Sequence, residues 1–119
     1  MAISASEPTQ SVLEAAMRGA ELNQNLLTSD LANADTANFE PSSVDFQSQL
    51  ATALNAGTSP DNVSFQATTQ AQTTNTNGNG VDADETSAEL SENGLLYDSL
   101  AEVMAANNQS LQYAMGIGT

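Results

Sequence analysis

The last third of the chain carries an apolar repeat that leaves few architectures open. Leu90, Gly94, Tyr97, Ala101, Met104, Asn108, Leu111 and Met115 are spaced 4, 3, 4, 3, 4, 3, 4, which is the a/d spacing of a heptad. Leu96, Leu100, Val103 and Ala114 form a second row beside the first. Two adjacent rows make a stripe wider than a solitary surface helix leaves in water. The repeat therefore predicts a long helix over residues 81–115 that buries one face against other helices. Gly94 costs this helix about 1 kcal/mol against alanine, and a glycine on a seam marks a close approach or a slight bend. Asp82 or Asp84 is the expected N-cap, with Asp84, Glu85 and Glu89 complementing the helix dipole. Gly116 and Gly118 end the helix.

The first third supplies a second amphipathic helix. Ser11 and Glu14 form an S-x-x-E capping box, after a small, polar stretch over residues 1–10 that is expected to be flexible. Val12, Ala15, Gly19, Leu22, Leu26 and Ser29 follow at 3, 4, 3, 4, 3. Leu13, Met17, Ala20, Leu27 and Leu31 make a parallel row. The pattern predicts a helix from residue 11 to about 34, with small residues at Ala15 and Gly19 that permit close approach. Arg18 lies within one turn of both Glu14 and Glu21. It reads either as a surface ion pair of about 0.3–0.5 kcal/mol or as a contact to an acidic neighbouring subunit.

Between the helices the pattern changes. Asn, Asp and Thr crowd residues 32–41 and compete with the helix by bonding to their own backbone. Pro41 disfavours helical geometry at Glu40, so the chain turns here. Phe39, Val44 and Phe46 are the apolar residues available to pin the turn. Phe46, Leu50, Ala53 and Leu54 recur at helical spacing and predict a short helix over about 43–55. Residues 55–80 are rich in Asn, Thr, Gln, Ser and Gly, with the pairs Asn77-Gly78 and Asn79-Gly80. They read as a poorly ordered connection, or as a small hairpin that orders only against a neighbour, with Val63 and Phe65 as the seed of a short strand. The expected fold is all-α, with long N- and C-terminal helices packed as a coiled-coil-like pair. Its segments are residues 1–10, 11–36, 37–80 and 81–119.

Composition removes most chemistry. One basic residue stands against fifteen acidic ones, a net charge of −14, which opposes binding to nucleic-acid phosphates or anionic membranes. The sequence has neither Cys nor His, so it lacks a thiolate and the commonest general base and metal ligand. Asp82-x-Asp84 begins like a calcium loop, but Ser87 stands where glycine is required and Asn93 where a bidentate Glu is required. Glu89 with Glu92, and Asp98 with Glu102, sit at helical spacing with no sign of a pocket to shift their pKa values. No catalytic residue, cofactor or metal is expected. No apolar run is long enough for a direct membrane span. Residues 1–10 lack the charged and apolar regions of a cleavable secretory signal, so any export is expected to leave the chain uncut.

Two motifs carry a resemblance. The first is Leu31-Ala32-Asn33-Ala34-Asp35-Thr36, followed by Phe39 and then Val44-Asp45-Phe46. The second is Gly80-Val81-Asp82-x-Asp84, leading into Ala88-x-Leu90-x-Glu92-Asn93 and Leu96-Tyr97. In this order, around a variable middle, they resemble the bacterial flagellar axial proteins, and among them the proximal basal-body rod type. The ending Met115-Gly116-Ile117-Gly118 resembles that of the neighbouring rod member. The family usually has Pro-Gly-Tyr-Lys where this chain has Ala37-Asn38-Phe39-Glu40, and Asn where Asp30 stands. Asn38 still tolerates the left-handed turn that glycine would favour.

The resemblance implies a structural subunit whose paired terminal helices line a hollow, torque-transmitting tube. It implies passage through type III export without a cleaved signal, and residence in the periplasmic rod of the basal body. Its implied partners are other rod proteins, the ring–rod adaptor, the export gate and further copies in a helical assembly. Val12, Ala15, Gly19, Leu22 and Leu26, with Leu90, Gly94, Tyr97, Ala101, Met104, Leu111 and Met115, would form the subunit-packing seam. Charge opposes such stacking, because the screening length at physiological salt is about 8 Å. Assembly is therefore expected to need basic partner surfaces, high ionic strength or bound cations. The alternative reading is an acidic helical binding or adaptor module of a secretion machine.

Overall fold

The computed structural model describes residues 2–69 and 75–116, with side chains from residue 9 onward. Three helices dominate: α1 at Ala2–Ala32, α2 at Phe46–Asn55 and α3 at Ala83–Ala114. α1 and α3 lie side by side and run antiparallel, since Asn23 meets Asn93 at one level and Gln10 meets Asn107 at another. The body measures 64 × 29 × 14 Å, longer than either helix and only about one helix thick.

The helix ends follow local chemistry more closely at α3 than at α1. Asp82 caps α3 by accepting the Glu85 amide at 3.1 Å, and Gly116 closes it with a φ of 73°. Gly118 lies outside the described residues. α1, by contrast, begins at Ala2, so Ser11 and Glu14 lie inside the helix and form no cap. α3 runs alongside this early segment, and the Asn107 amide donates to Gln10 Oε1 at 2.8 Å. At the other end of α1 the predicted turn forms, and Asn38 takes the left-handed conformation with φ 61°.

The middle of the chain corrects the all-α expectation to mostly α with a small two-stranded sheet. β1 at Ser42–Ser43 pairs antiparallel with β2 at Thr68–Thr69, with Ser42 opposite Thr69 and Ser43 opposite Thr68. None of these residues is apolar, so no alternation announces the strands. Tertiary structure brings them together, because α2 and a 3₁₀ turn at Pro60–Asn62 return the chain beside β1. The Gln49 side chain extends the pairing, donating to Gln66 O at 2.9 Å and accepting from Gln66 N at 2.8 Å. Thus residues 55–69 and 75–80 are held within the chain itself, and residues 70–74 lie outside the described set. Val63 and Phe65 enter no strand. Val63 is buried against Ala15 and Leu50, and Phe65 meets Phe46 edge-on with ring centroids 6.4 Å apart.

The core is thin and two-part. Ala15, Leu50 and Val63 form one cluster, joined by Val12, Ala16, Ala53, Leu54 and Phe65. Ala20, Val44 and Phe46 form the other, joined by Leu22, Leu26, Leu96, Tyr97 and Leu100. Gly19 makes the second cluster possible: a Cβ there would lie 2.5 Å from Phe46 Cβ. The close approach its size permits is therefore to the start of α2.

Candidate assembly interface

The two motifs interlock at one end of the molecule through bonds between residues 43 and 46 positions apart. Asn79 joins them. Its side chain is fully buried, and its amide donates to Asn33 O at 2.7 Å and to Thr36 O. Its Oδ1 accepts the Val81 amide at 2.7 Å. Around it, Gly80 N donates to Phe39 O at 3.0 Å and Asn38 N to Asn77 O at 3.2 Å. The motif also satisfies itself: Asn33 donates to Ser29 O, and Thr36 Oγ1 donates to Asn33 Oδ1. Leu31, Ala34 and Phe39 are half-buried, Ala32 and Asp35 are exposed, and Val44 and Phe46 are buried. Asp45 caps α2 through the Ser48 amide at 3.4 Å.

A second polar node lies midway along the helices. The buried Asn93 amide donates to Ala20 O and to Gln24 Oε1, both at 2.8 Å. Asn23 donates to Asn93 Oδ1 at 3.1 Å and accepts the Val44 amide at 3.2 Å. One asparagine thus links α3 to α1, and through Asn23 to the strand leading into α2. A single polar residue on an apolar helix seam fixes register at some cost in stability.

This node turns α3 slightly from the face its heptad suggests. Thr86, Leu90, Asn93, Tyr97, Leu100, Met104, Asn107 and Leu111 are buried or half-buried, and they too are spaced 4, 3, 4, 3, 4, 3, 4. The predicted row shares Leu90, Tyr97, Met104 and Leu111 with it. Gly94 and Ala101 stand one residue to the side and are half-buried, and Asn108 and Met115 are exposed. A Cβ on Gly94 would meet nothing within 4 Å, so no close approach inside the chain requires that glycine. On α1, Val12, Ala15, Gly19, Leu22 and Leu26 are all buried or half-buried within the chain. Among the described residues, the large apolar side chains left to solvent are Leu95, Val103, Tyr113 and Met115, each more than half exposed. Arg18, offered as an ion-pair partner for Glu14 or Glu21, instead donates to Pro60 O at 3.0 Å.

Charge gathers near the clamped end. A cleft of about 810 Å³ between α1, α3 and the β1 region is lined by Asp30, Asp35, Asp82, Glu85 and Glu89 among others. Asp30 is buried and accepts the Ser42 amide on both carboxylate oxygens at 3.2 Å. Burial pushes its pKa up and outweighs the opposing effect of the Ser42 bond. Partial burial also raises Glu89, followed by repulsion from Glu85, Asp30 and Glu92. Among the described residues no group of three or more carboxylates is placed to hold a metal ion, and no helix is long and apolar enough to cross a membrane.

The chain is 32% identical over 112 residues to the flagellar basal body rod protein FlgB of Bacillus subtilis (strain 168), covering 84% of this chain and 87% of that one. It belongs to the FlgB family of flagellar basal-body rod proteins. No family model matches the sequence. Within this FlgB-family chain, sequence reading found both motifs but missed what joins them. Asn79 lies in a stretch that reads as a poorly ordered connection, and Asn93 enters as a motif residue and as the wrong residue for a calcium loop, not as a contact. The signal available was the Asn-Gly pair at each site. What makes each asparagine a hub is the set of carbonyls it meets far away in sequence.

Proposed function

We propose that this chain is a structural subunit of the flagellar basal-body rod, assembling by helix packing into a hollow, torque-transmitting tube after type III export. The observation that carries the reading is the identity with FlgB over 112 residues. The geometry supports it. A long, flat body with a polar clamp at one end and apolar side chains exposed along the middle and far end of α3 suits a subunit that is completed by neighbours. The exposed side chains Leu95, Val103, Tyr113 and Met115 are those that neighbours cover. The α1 seam residues act indirectly, by holding α2 and α3 in place. The partners are other rod proteins, the ring–rod adaptor, the export gate and further copies, in the periplasmic part of the basal body. With −14 per chain, association strengthens as salt rises, because screening shortens the range of repulsion.

Mass spectrometry of purified hook–basal bodies tests the reading. The expected result is this chain present, with its N-terminal peptide intact. Its absence from basal bodies while abundant in the cytosol overturns the proposal and favours an acidic adaptor.

A further inference from the structure

We propose that Asn79 and Asn93 are fold-gated deamidation sites: the folded chain shields both, and the unfolded chain converts them to carboxylates that its own clamps reject. The inference is independent of the rod reading. Asparagine precedes glycine at Asn77-Gly78, Asn79-Gly80 and Asn93-Gly94. In this dipeptide the glycine has no side chain to hinder its amide nitrogen. That nitrogen gives up its proton to hydroxide and attacks asparagine Cγ. A bond from nitrogen to Cγ forms, the Cγ–Nδ2 bond breaks, and Nδ2 leaves as ammonia. Water then opens the succinimide ring at either carbonyl, leaving aspartate or its β-linked isomer. The net reaction consumes a water and releases an ammonia, with no change of oxidation state.

The fold treats the three sites differently. At Asn79 the attacking atom, Gly80 N, donates to Phe39 O at 3.0 Å. The leaving group, Nδ2, is held by Asn33 O and Thr36 O, and the side chain has no exposure to water. At Asn93 the backbone is helical, so the Gly94 amide is committed to the helix ladder. Its Nδ2 is held by Ala20 O and Gln24 Oε1, and its Oδ1 by Asn23. At Asn77 the attacking Gly78 N also donates, to Asn75 O at 2.9 Å, and the side chain accepts the Asn79 amide at 3.1 Å, but this site lies exposed in a turn. Opening an exposed turn costs far less than opening a core contact.

The product matters as much as the rate. Deamidation replaces an NH2 donor by a carboxylate oxygen. At position 79 this sets negative charge against the carbonyls of Asn33 and Thr36, and at position 93 against that of Ala20. A buried charge facing acceptors is strongly disfavoured, so a chain converted while unfolded cannot close its clamps. At position 77 the same change adds one exposed charge.

The test incubates the full chain at mildly alkaline pH in buffer and in urea, then maps deamidation by mass spectrometry of peptic peptides. Asn79 and Asn93 are expected to react about tenfold or more slowly in buffer than in urea, while Asn77 differs far less. After dilution from urea, molecules converted at 79 or 93 should be enriched in the fraction that fails to refold. Equal rates at 79 and 93 in buffer and urea overturn the proposal. So does thermal melting in which Asn79→Asp and Asn93→Asp chains match Asn77→Asp.

Discussion

The two halves of the molecule are built by different means. In the clamped half, α1 from Gly19 onward, the turn, β1, the start of α2 and residues 75–93 are joined by bonds between distant elements. Asn79, Asn93, Asn23 and Asp30 are each satisfied by partners elsewhere in the chain. In the open half, Leu96, Tyr97 and Leu100 on the inner face of α3 join the Phe46 cluster, while the outer face is left to solvent. Leu95 is 70% and Tyr113 66% exposed there. Buried hydrogen-bonded groups specify one arrangement, because each unmade bond costs desolvation. Exposed apolar groups specify nothing until a neighbour removes them from water. The difference assigns folding to one half and association to the other.

The strongest test of this division is Phe46→Ala, which empties the second core cluster where Phe46 touches Gly19 and Phe65. A loss of about 3–5 kcal/mol is expected in urea melts. Gly19→Ala approaches the same contact from the other side. Its Cβ would lie 2.5 Å from Phe46 Cβ, so α2 must shift, at a cost of about 1–3 kcal/mol. A melt unchanged by Gly19→Ala would show that the clamped half is looser than its contacts imply.

Gly94→Ala should act in the opposite direction. With nothing within 4 Å of the new Cβ, the helix gains about 1 kcal/mol. If neighbours approach α3 at this glycine, the same variant enters basal bodies poorly although it melts higher. That dissociation would place Gly94 on the assembly surface. Leu95→Ser combined with Val103→Ser should change stability by no more than about 1 kcal/mol, yet reduce recovery of the chain in basal bodies. A large drop in melting temperature would erase the distinction between the halves.

The smallest effect sharpens the clamped half. Asp30 and Glu89 have pKa values raised in the folded chain. Their contribution to stability is fully present below their unfolded pKa values and is lost as pH rises through the raised folded ones. Asp30→Asn keeps an acceptor for the Ser42 amide and removes the buried charge. Its melting temperature should equal or exceed that of the parent near neutral pH, with the gap narrowing on acidification. A variant that melts lower at neutral pH would mean that the charged Ser42 bond outweighs burial.

Much of the framework was legible without coordinates. The heptad over residues 90–115 announced α3, Asp82 announced its cap, and Asn38 announced the left-handed turn. These are local properties: a helix period, an N-cap and a backbone preference depend on residues a few positions apart. The start of α1 was not legible, because the helix begins at Ala2 and runs straight through the capping-box residues Ser11 and Glu14. Nor were β1 and β2, whose serines and threonines carry no alternation.

The same division holds for the site. The sequence alone determined that two long amphipathic helices flank a polar middle, and that the motifs lie at their facing ends. Only the tertiary structure decided that Asn93 rather than Gly94 points into the seam, that Gly19 makes room for Phe46, and that Asn79 closes the turn. The physical reason is that a buried asparagine is stable only where carbonyls and amides arrive to meet it. Here, apart from the Val81 amide, those partners come from 43 to 73 residues away, so no pattern of nearby residues records where they will be.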